Sequence, residues 1–365
     1  MVRYFSQKDK ILNESGLFLN VLGISFIFSS FIAIFLFVIK DIIAIEIFKK
    51  PLLLNYFPWI LPTIPMWSVV IITGGFFRAQ KKIIYNAFLD NSGRFLLSLI
   101  FLGSIGLYLK EVKEGDLNAI KAHFYAVFSL FILSIILLAM VLKLNGSTTI
   151  TKTKEFLKKS LPITVSTSLL IILGGIDVFV LGIFESENQI GIYNVNYRLA
   201  ILSSISLQAV NSILAPKISE AFHTNDIANY NKMISFATRV NVLITVLIIL
   251  GTLIFNKEIL NLFGEEFAQA GSNVLFILCV GQIISSLSGS VGVILQMAFK
   301  DTIYNSILIG ALTLNLVLNF ILIPNLGIQG AAFATAMSTS FWNIVGAIYL
   351  KRKLGIQTYL NLKFK

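Results

Sequence analysis

The sequence predicts an all-α polytopic membrane protein, with about ten transmembrane helices in two pseudo-repeated bundles of four and six. Three observations predict it. Of 365 residues, 56% are hydrophobic and only 13% charged, against roughly 25% charged in an ordinary soluble domain. Several apolar runs exceed the roughly 20 residues that a helix needs to cross the hydrocarbon core. Finally, one phrase is written twice, KKIIYNA at 81–87 and KDTIYNS at 300–306, sharing Lys, Ile, Tyr and Asn in place.

The expected spans, in order, are 15–39, 54–77, 92–109, 121–142, 160–184, 190–215, 236–255, 268–298, 303–323 and 327–350. The first is too long for the apolar core of a cleaved leader, has no small-residue cleavage site after it, and reads as a retained span. The second carries Pro58, Pro62 and Pro65, whose missing amide donors bend a helix, either as a static kink or as a hinge. The fifth and sixth form a hairpin that turns near Glu187. The eighth holds the lone Cys279, which excludes disulfides and reads as a small buried hydrophobe.

The repeat extends beyond the phrase. KDII at 40–43 follows the first span as KEIL at 257–260 follows the seventh, at nearly the same offset, and each is succeeded by a span that ends just before the Tyr-Asn phrase. Three consecutive helices therefore recur in order. The division expected is an amino-terminal lobe at 1–150 with four spans and a carboxyl-terminal lobe at 151–365 with six. The two spans at 160–215 have no counterpart in the first lobe, as if two helices of a twelve-helix plan were missing from it. Repeats of several helices are a common way to build a transporter with alternating access.

With both termini on the cytoplasmic side, inner loops and flanks hold most of the 29 Lys and Arg. That is the positive-inside asymmetry of a multi-pass cell-membrane protein, and it explains the net charge of +11 without nucleic acid. An enzyme is not expected. The longest loops, near 143–159 and 216–235, are basic or mixed, and His123 and His223 lack metal-ligand spacing. No GxxxxGK[ST] phosphate loop is present, so neither ATP nor any other cofactor is expected.

Two stretches carry a family resemblance. NLVLNFILIPNLGIQGAAFATAMST at 315–339 resembles the stretch near the end of lipid-linked oligosaccharide flippases, the polysaccharide branch of the multidrug/oligosaccharidyl-lipid/polysaccharide exporter superfamily. IDVFVLGIFESENQIGIYNVNYRLA at 176–200 looks like the hairpin that opens that family's second lobe. The resemblance implies two lobes around a cavity, and a polyprenyl-diphosphate-linked oligosaccharide moved from the cytoplasmic to the outer leaflet. It implies that lipid substrate, membrane lipids and a coupling ion as partners. GIQGAAFATA itself reads as close helix packing after Pro324. A cation-coupled drug exporter of the same superfamily, and a truncated inactive protein or scaffold, are the alternatives.

Candidate site residues follow from intramembrane polarity. A mid-membrane charge costs about 3 kcal/mol, so each needs a reason. Asp177 and Arg198 lie nearly equidistant from the turn near Glu187, each about 15 Å down antiparallel helices at 1.5 Å per residue. They are either an ion pair fixing the hairpin or, as the resemblance implies, an anion-binding Arg198 in a cavity with Asp177 tuning it or taking a cation. Tyr193 and Tyr197, at i and i+4, either stack on sugar or form an interfacial belt. Arg78 and Arg94, at inner span ends, either snorkel to headgroups or receive the diphosphate. Asn315 and Asn319 either hydrogen-bond between helices or line the cavity.

Overall fold

The computed structural model describes residues 15–80, 82–109, 115–141, 150–224, 227–298 and 300–360, and holds no strand among them. Helices are the open-ended form that satisfies its own backbone in lipid. Six described helices are long and apolar enough to cross a membrane, and a seventh when the bent pair Pro51–Ile60 and Thr63–Ala79 is taken as one span. The chain divides into two compact units, Met1–Lys158 and Lys159–Lys365.

In the first unit, α1 (Ser15–Val38) is followed by a π-helical turn, Ile42–Ile47, and a 3-10 turn, Pro51–Asn55. Then come α2 (Phe57–Ile60), α3 (Thr63–Ala79), α4 (Ile83–Ala87), α5 (Gly93–Leu109) and α6 (Gly115–Val141). The proline-rich span bends by 40°, as its missing donors require. Leu17, Phe18 and Val21 of α1 pack on Phe76 and Ala79 of α3, with the Phe18 and Phe76 rings 4.6 Å apart. Val70 and Phe77 of α3 meet Leu89 and Leu130, so α6 stands between α3 and α5.

In the second unit, α7 (Ile150–Leu173), which begins in the first, leads to α8 (Ile176–Phe184), α9 (Glu187–Ile201) and α10 (Ile205–Thr224). They are followed by α11 (Ile227–Ile254), α12 (Asn256–Asn261), α13 (Glu265–Ser288), α14 (Val291–Met297) and α15 (Asp301–Leu354). Three spans expected to be unbroken are interrupted: at Gly174 and Gly175, at the 3-10 turn Leu202–Ser204, and at Gly289. Two apolar clusters hold the unit together. One gathers Leu181, Tyr193, Leu275, Leu278 and Ala331, the other Leu214, Ile234, Leu295, Tyr304 and Leu350.

Past α15, residues 355–360 leave the helical path and lie along the bundle. Thr238 donates to the Thr358 carbonyl at 2.8 Å, the Leu360 amide donates to the Leu287 carbonyl at 2.9 Å, and the Gln357 amide donates to the Asn231 side chain at 3.1 Å. The segment thereby ties α11 to the end of α13.

The expected spans 303–323 and 327–350 are the two halves of α15, which turn at Gly327 with φ 56° and ψ −136°. A side chain rarely adopts that backbone. At Gly330 an added Cβ would sit 2.5 Å from the Leu322 carbonyl oxygen, so the two halves meet there through bare backbone. Gly327→Ala and Gly330→Ala should each lower stability by about 1–3 kcal/mol, seen as a lower thermal midpoint of the detergent-solubilised protein. An alanine at Gly251, where an added Cβ meets nothing within 4 Å, should leave it unchanged.

Candidate functional site

Gly174 and Gly175 turn the chain between α7 and α8, which puts Asp177 in the first turn of α8, where the helix dipole favours a negative charge. The side chain is 1% exposed. Its Oδ2 accepts hydrogen bonds from the Tyr193 hydroxyl of α9 and, at 2.9 Å, from the Thr335 hydroxyl of α15. Tyr193 and Thr335 are themselves 3.1 Å apart. Asp177 Oδ1 is buried with no hydrogen-bond partner among the described residues.

The network continues along α15. Ser338 donates to the Thr335 carbonyl at 3.1 Å and accepts from Asn315 at 3.0 Å, and Asn319 donates to Asn315 Oδ1 at 2.8 Å. The two amides are at i and i+4 on one face, fully buried, and link the first half of α15 to the second. Oδ1 of Asn319 is a second buried oxygen without a donor. A third is Asn196 Oδ1 on α9, whose Nδ2 bonds the Ile192 carbonyl at 2.8 Å. Buried oxygens of this kind mark places where water or a cation completes the bonding.

The structure thus brings Asp177, Tyr193, Asn315 and Asn319 together. Tyr197 flanks them half-buried, its ring stacked on Tyr193 with centroids 6.2 Å apart and planes at 17°. Tyr193 is 0% exposed and belongs to the core, not to an interfacial belt. The ion pair between Asp177 and Arg198 is absent: Asp177 bonds neutral hydroxyls and Arg198 is exposed. The two share a depth, but Arg198 is five residues beyond Tyr193, about 140° around α9 at 100° per residue. It faces away from the helices that Tyr193 joins.

Arg78 and Arg94 belong to the first unit. Arg78 is exposed in the last turn of α3. Arg94 is half-buried at the start of α5, its guanidinium 4.8 Å from the Trp67 ring and 4.9 Å from the Phe95 ring, a cation–π arrangement. Sequence reasoning missed Thr335 and Ser338, which fell in the stretch read as packing. The signal was a pair of hydroxyls three residues apart in a run of Ala and Gly. No group of three or more His, Cys, Asp or Glu among the described residues could hold a metal ion.

A groove of about 750 Å³ between α13 and the second half of α15 is lined by Phe276, Val280, Phe333, Met337, Phe341 and Ile344, with Asn273 and Gln329 among its polar members. It carries no charged side chain.

Residues 3–222 match the family described as polysaccharide biosynthesis protein. The chain belongs to that family. Two curated relatives from Haloferax volcanii share the alignment. The probable low-salt glycan biosynthesis flippase Agl15 is 32% identical over 190 residues, covering 52% of this chain and 39% of the relative. The probable flippase AglR is 27% identical over 175 residues, covering 47% and 36%. The chain therefore spans well under two thirds of the length of these relatives. Solved structures share the fold. An inward-facing multidrug resistance transporter of the MATE family in the MOP superfamily matches with a TM-score of 0.77 at 14% identity, over 93% of this chain and 80% of that one. The lipid II flippase MurJ in an inward closed conformation matches at 0.67 and 17% identity, over 96% and 78%. The family is thus one of multi-pass membrane transporters built on the MOP superfamily fold.

Within the network, removal of one hydroxyl from the shared Asp177 oxygen strands a buried carboxylate. Tyr193→Phe and Thr335→Val should each destabilise the protein by about 1–3 kcal/mol. Their double variant should lose less than the sum of the two, because both act on one oxygen. Chemical or thermal denaturation in detergent measures the cycle.

Proposed function

We propose that this family member moves a polyprenyl-diphosphate-linked oligosaccharide from the cytoplasmic to the outer leaflet of the cell membrane by alternating access, with both termini cytoplasmic and no covalent step. The observation that carries the reading is the separation of charge on the hairpin. Asp177 is sealed among neutral hydroxyls, while the Arg198 guanidinium stands exposed on a membrane-embedded helix. An exposed intramembrane cation is costly unless an anion meets it, and a guanidinium fork fits a pair of phosphate oxygens. Family membership and two relatives named as flippases support the same substrate class.

In this reading Arg198 binds the diphosphate and the half-buried Tyr197 beside it offers a ring to the first sugar. Arg78 and Arg94 receive the headgroup at the cytoplasmic side, on the first of two lobes near residue 150. Asp177 serves a coupling cation, with Asn315 and Asn319 supporting it. The unpartnered oxygens of Asp177 and Asn319 supply negative and dipolar ligands for an ion of that kind. Tyr193 holds the Asp177 carboxylate in place for that ion.

The test is flipping of a fluorescent polyprenyl-diphosphate oligosaccharide by the purified full chain in proteoliposomes. Arg198→Ala should slow it by about tenfold to a hundredfold, the loss of one charged hydrogen-bond pair, with Arg198→Lys between the two. Asp177→Asn should abolish dependence on the cation gradient while leaving binding of the diphosphate lipid intact. Full-rate flipping by Arg198→Ala overturns the assignment. Movement of a lipophilic organic cation that needs Asp177 and ignores Arg198 replaces it with drug export.

A further inference from the structure

The phrase written twice meets different fates in the two units. In KDTIYNS, Tyr304 is 2% exposed, within the cluster that includes Leu214 and Ile218 of α10 and Leu169 of α7. Its neighbour Asn305 reads α7 directly. Asn305 Oδ1 accepts from the Ser166 hydroxyl at 2.5 Å, and its Nδ2 donates to the Pro162 carbonyl at 3.2 Å. In KKIIYNA, Tyr85 is 46% exposed, with Phe77 stacked on one side at 5.2 Å. Asn86 lies beside Gly74 and has no hydrogen-bond partner among the described residues.

The same contrast holds one helix away. α1 and α11 occupy equivalent places in the repeat, each followed by a short helical turn and a broken span. α11 is met by α10 through Ser206, which bonds Asn241 at 2.7 Å and Thr245 at 3.1 Å. Its apolar window is 28% buried, whereas that of α1 is 11% buried, the lowest value among the described spans. Ile27, Phe28, Phe31, Ile34 and Val38 are each at least 64% exposed. Between α1 and the proline-bent span lies an apolar groove of about 470 Å³, lined by Ala33, Ile34, Phe37, Phe57, Pro58 and Pro62 among others.

Lipid tails can cover apolar side chains, but they offer nothing to an amide. The Asn of the repeat is satisfied, in the unit where it is satisfied, by a helix hydroxyl and a carbonyl one turn earlier. We propose that the bare face of α1, α3 and α4 seats a hairpin of two apolar membrane-spanning helices on the amino-terminal side of the polypeptide, packed as α7 to α10 pack on the second unit. The first of those helices reads Asn86 with a Ser or Thr hydroxyl and a backbone carbonyl, and covers Tyr85. This docking surface is independent of the transport reading: it requires no substrate.

The experiment places a single cysteine at Tyr85 (Tyr85→Cys) in a Cys279→Ala background, with Lys82→Cys, on an exposed residue, as the open reference. Each is made both as the 365-residue chain in a foreign host and from its own locus in the source organism. Intact mass and the rate of labelling by a membrane-permeant maleimide are measured in both membranes. Protein from the source organism should be heavier by at least two spans of roughly 20 residues each. Tyr85→Cys should label about tenfold more slowly there than in the 365-residue chain, the protection given by a packed element, and Asn86→Leu should reduce that protection. Equal masses with fast labelling in both membranes overturn the proposal in favour of lipid cover. Equal masses with protection overturn it too, assigning the face to a second copy if Tyr85→Cys forms a disulfide-linked dimer and to a separate membrane protein if it does not.

Discussion

The carboxylate of Asp177, shared between the hydroxyls of Tyr193 and Thr335, is the contact on which the second unit depends. Apolar helices in lipid have little reason to prefer one another over acyl chains, so their association needs close packing or polar bonds. Here one oxygen joins α8, α9 and the second half of α15. Ser338, Asn315 and Asn319 then carry the bonding into the first half of α15. The glycines at 327 and 330 let those halves come close enough for the amides to reach. The turn and the polar chain therefore belong to one device.

That device also explains the charge arrangement. A buried carboxylate satisfied on one oxygen and open on the other is suited to accept a cation or a proton without dismantling the helix contacts around it. Arg198, on a different face of α9, is separated from it by azimuth and not by depth. The hairpin thus presents two chemically distinct sides, one sealed and anionic, one open and cationic. That separation is what a transporter of an anionic lipid needs if its driving ion and its cargo are to bind apart.

Much of this was legible in the sequence. Each of the ten apolar segments is helical in the structure, the proline-rich one bends, and the repeated phrase marks equivalent positions in the two units. Which face of each helix packs was not legible, because the face toward lipid is as apolar as the face toward protein: Leu17 is fully buried and Ile27 is 70% exposed within one uniform run. The same limit hid the true partner of Asp177. Spacing from the turn gave the depth of Arg198 but not its direction, while Thr335 sat unnoticed among alanines. The breaks at 174–175 and 202–204 were written in the Gly-Gly and Ser-Ser pairs, whose turn preference was outweighed by the length of the apolar runs around them.

The tail beyond α15 has a consequence for biogenesis. Residues 357, 358 and 360 bond to residues more than seventy positions earlier, at 231, 238 and 287. Translation delivers these late residues after every span of the bundle is already made. The lacing of α11 to α13 is thus a post-insertion event, and a ribosome that stops early leaves a bundle whose helices are all present but whose end is unfastened.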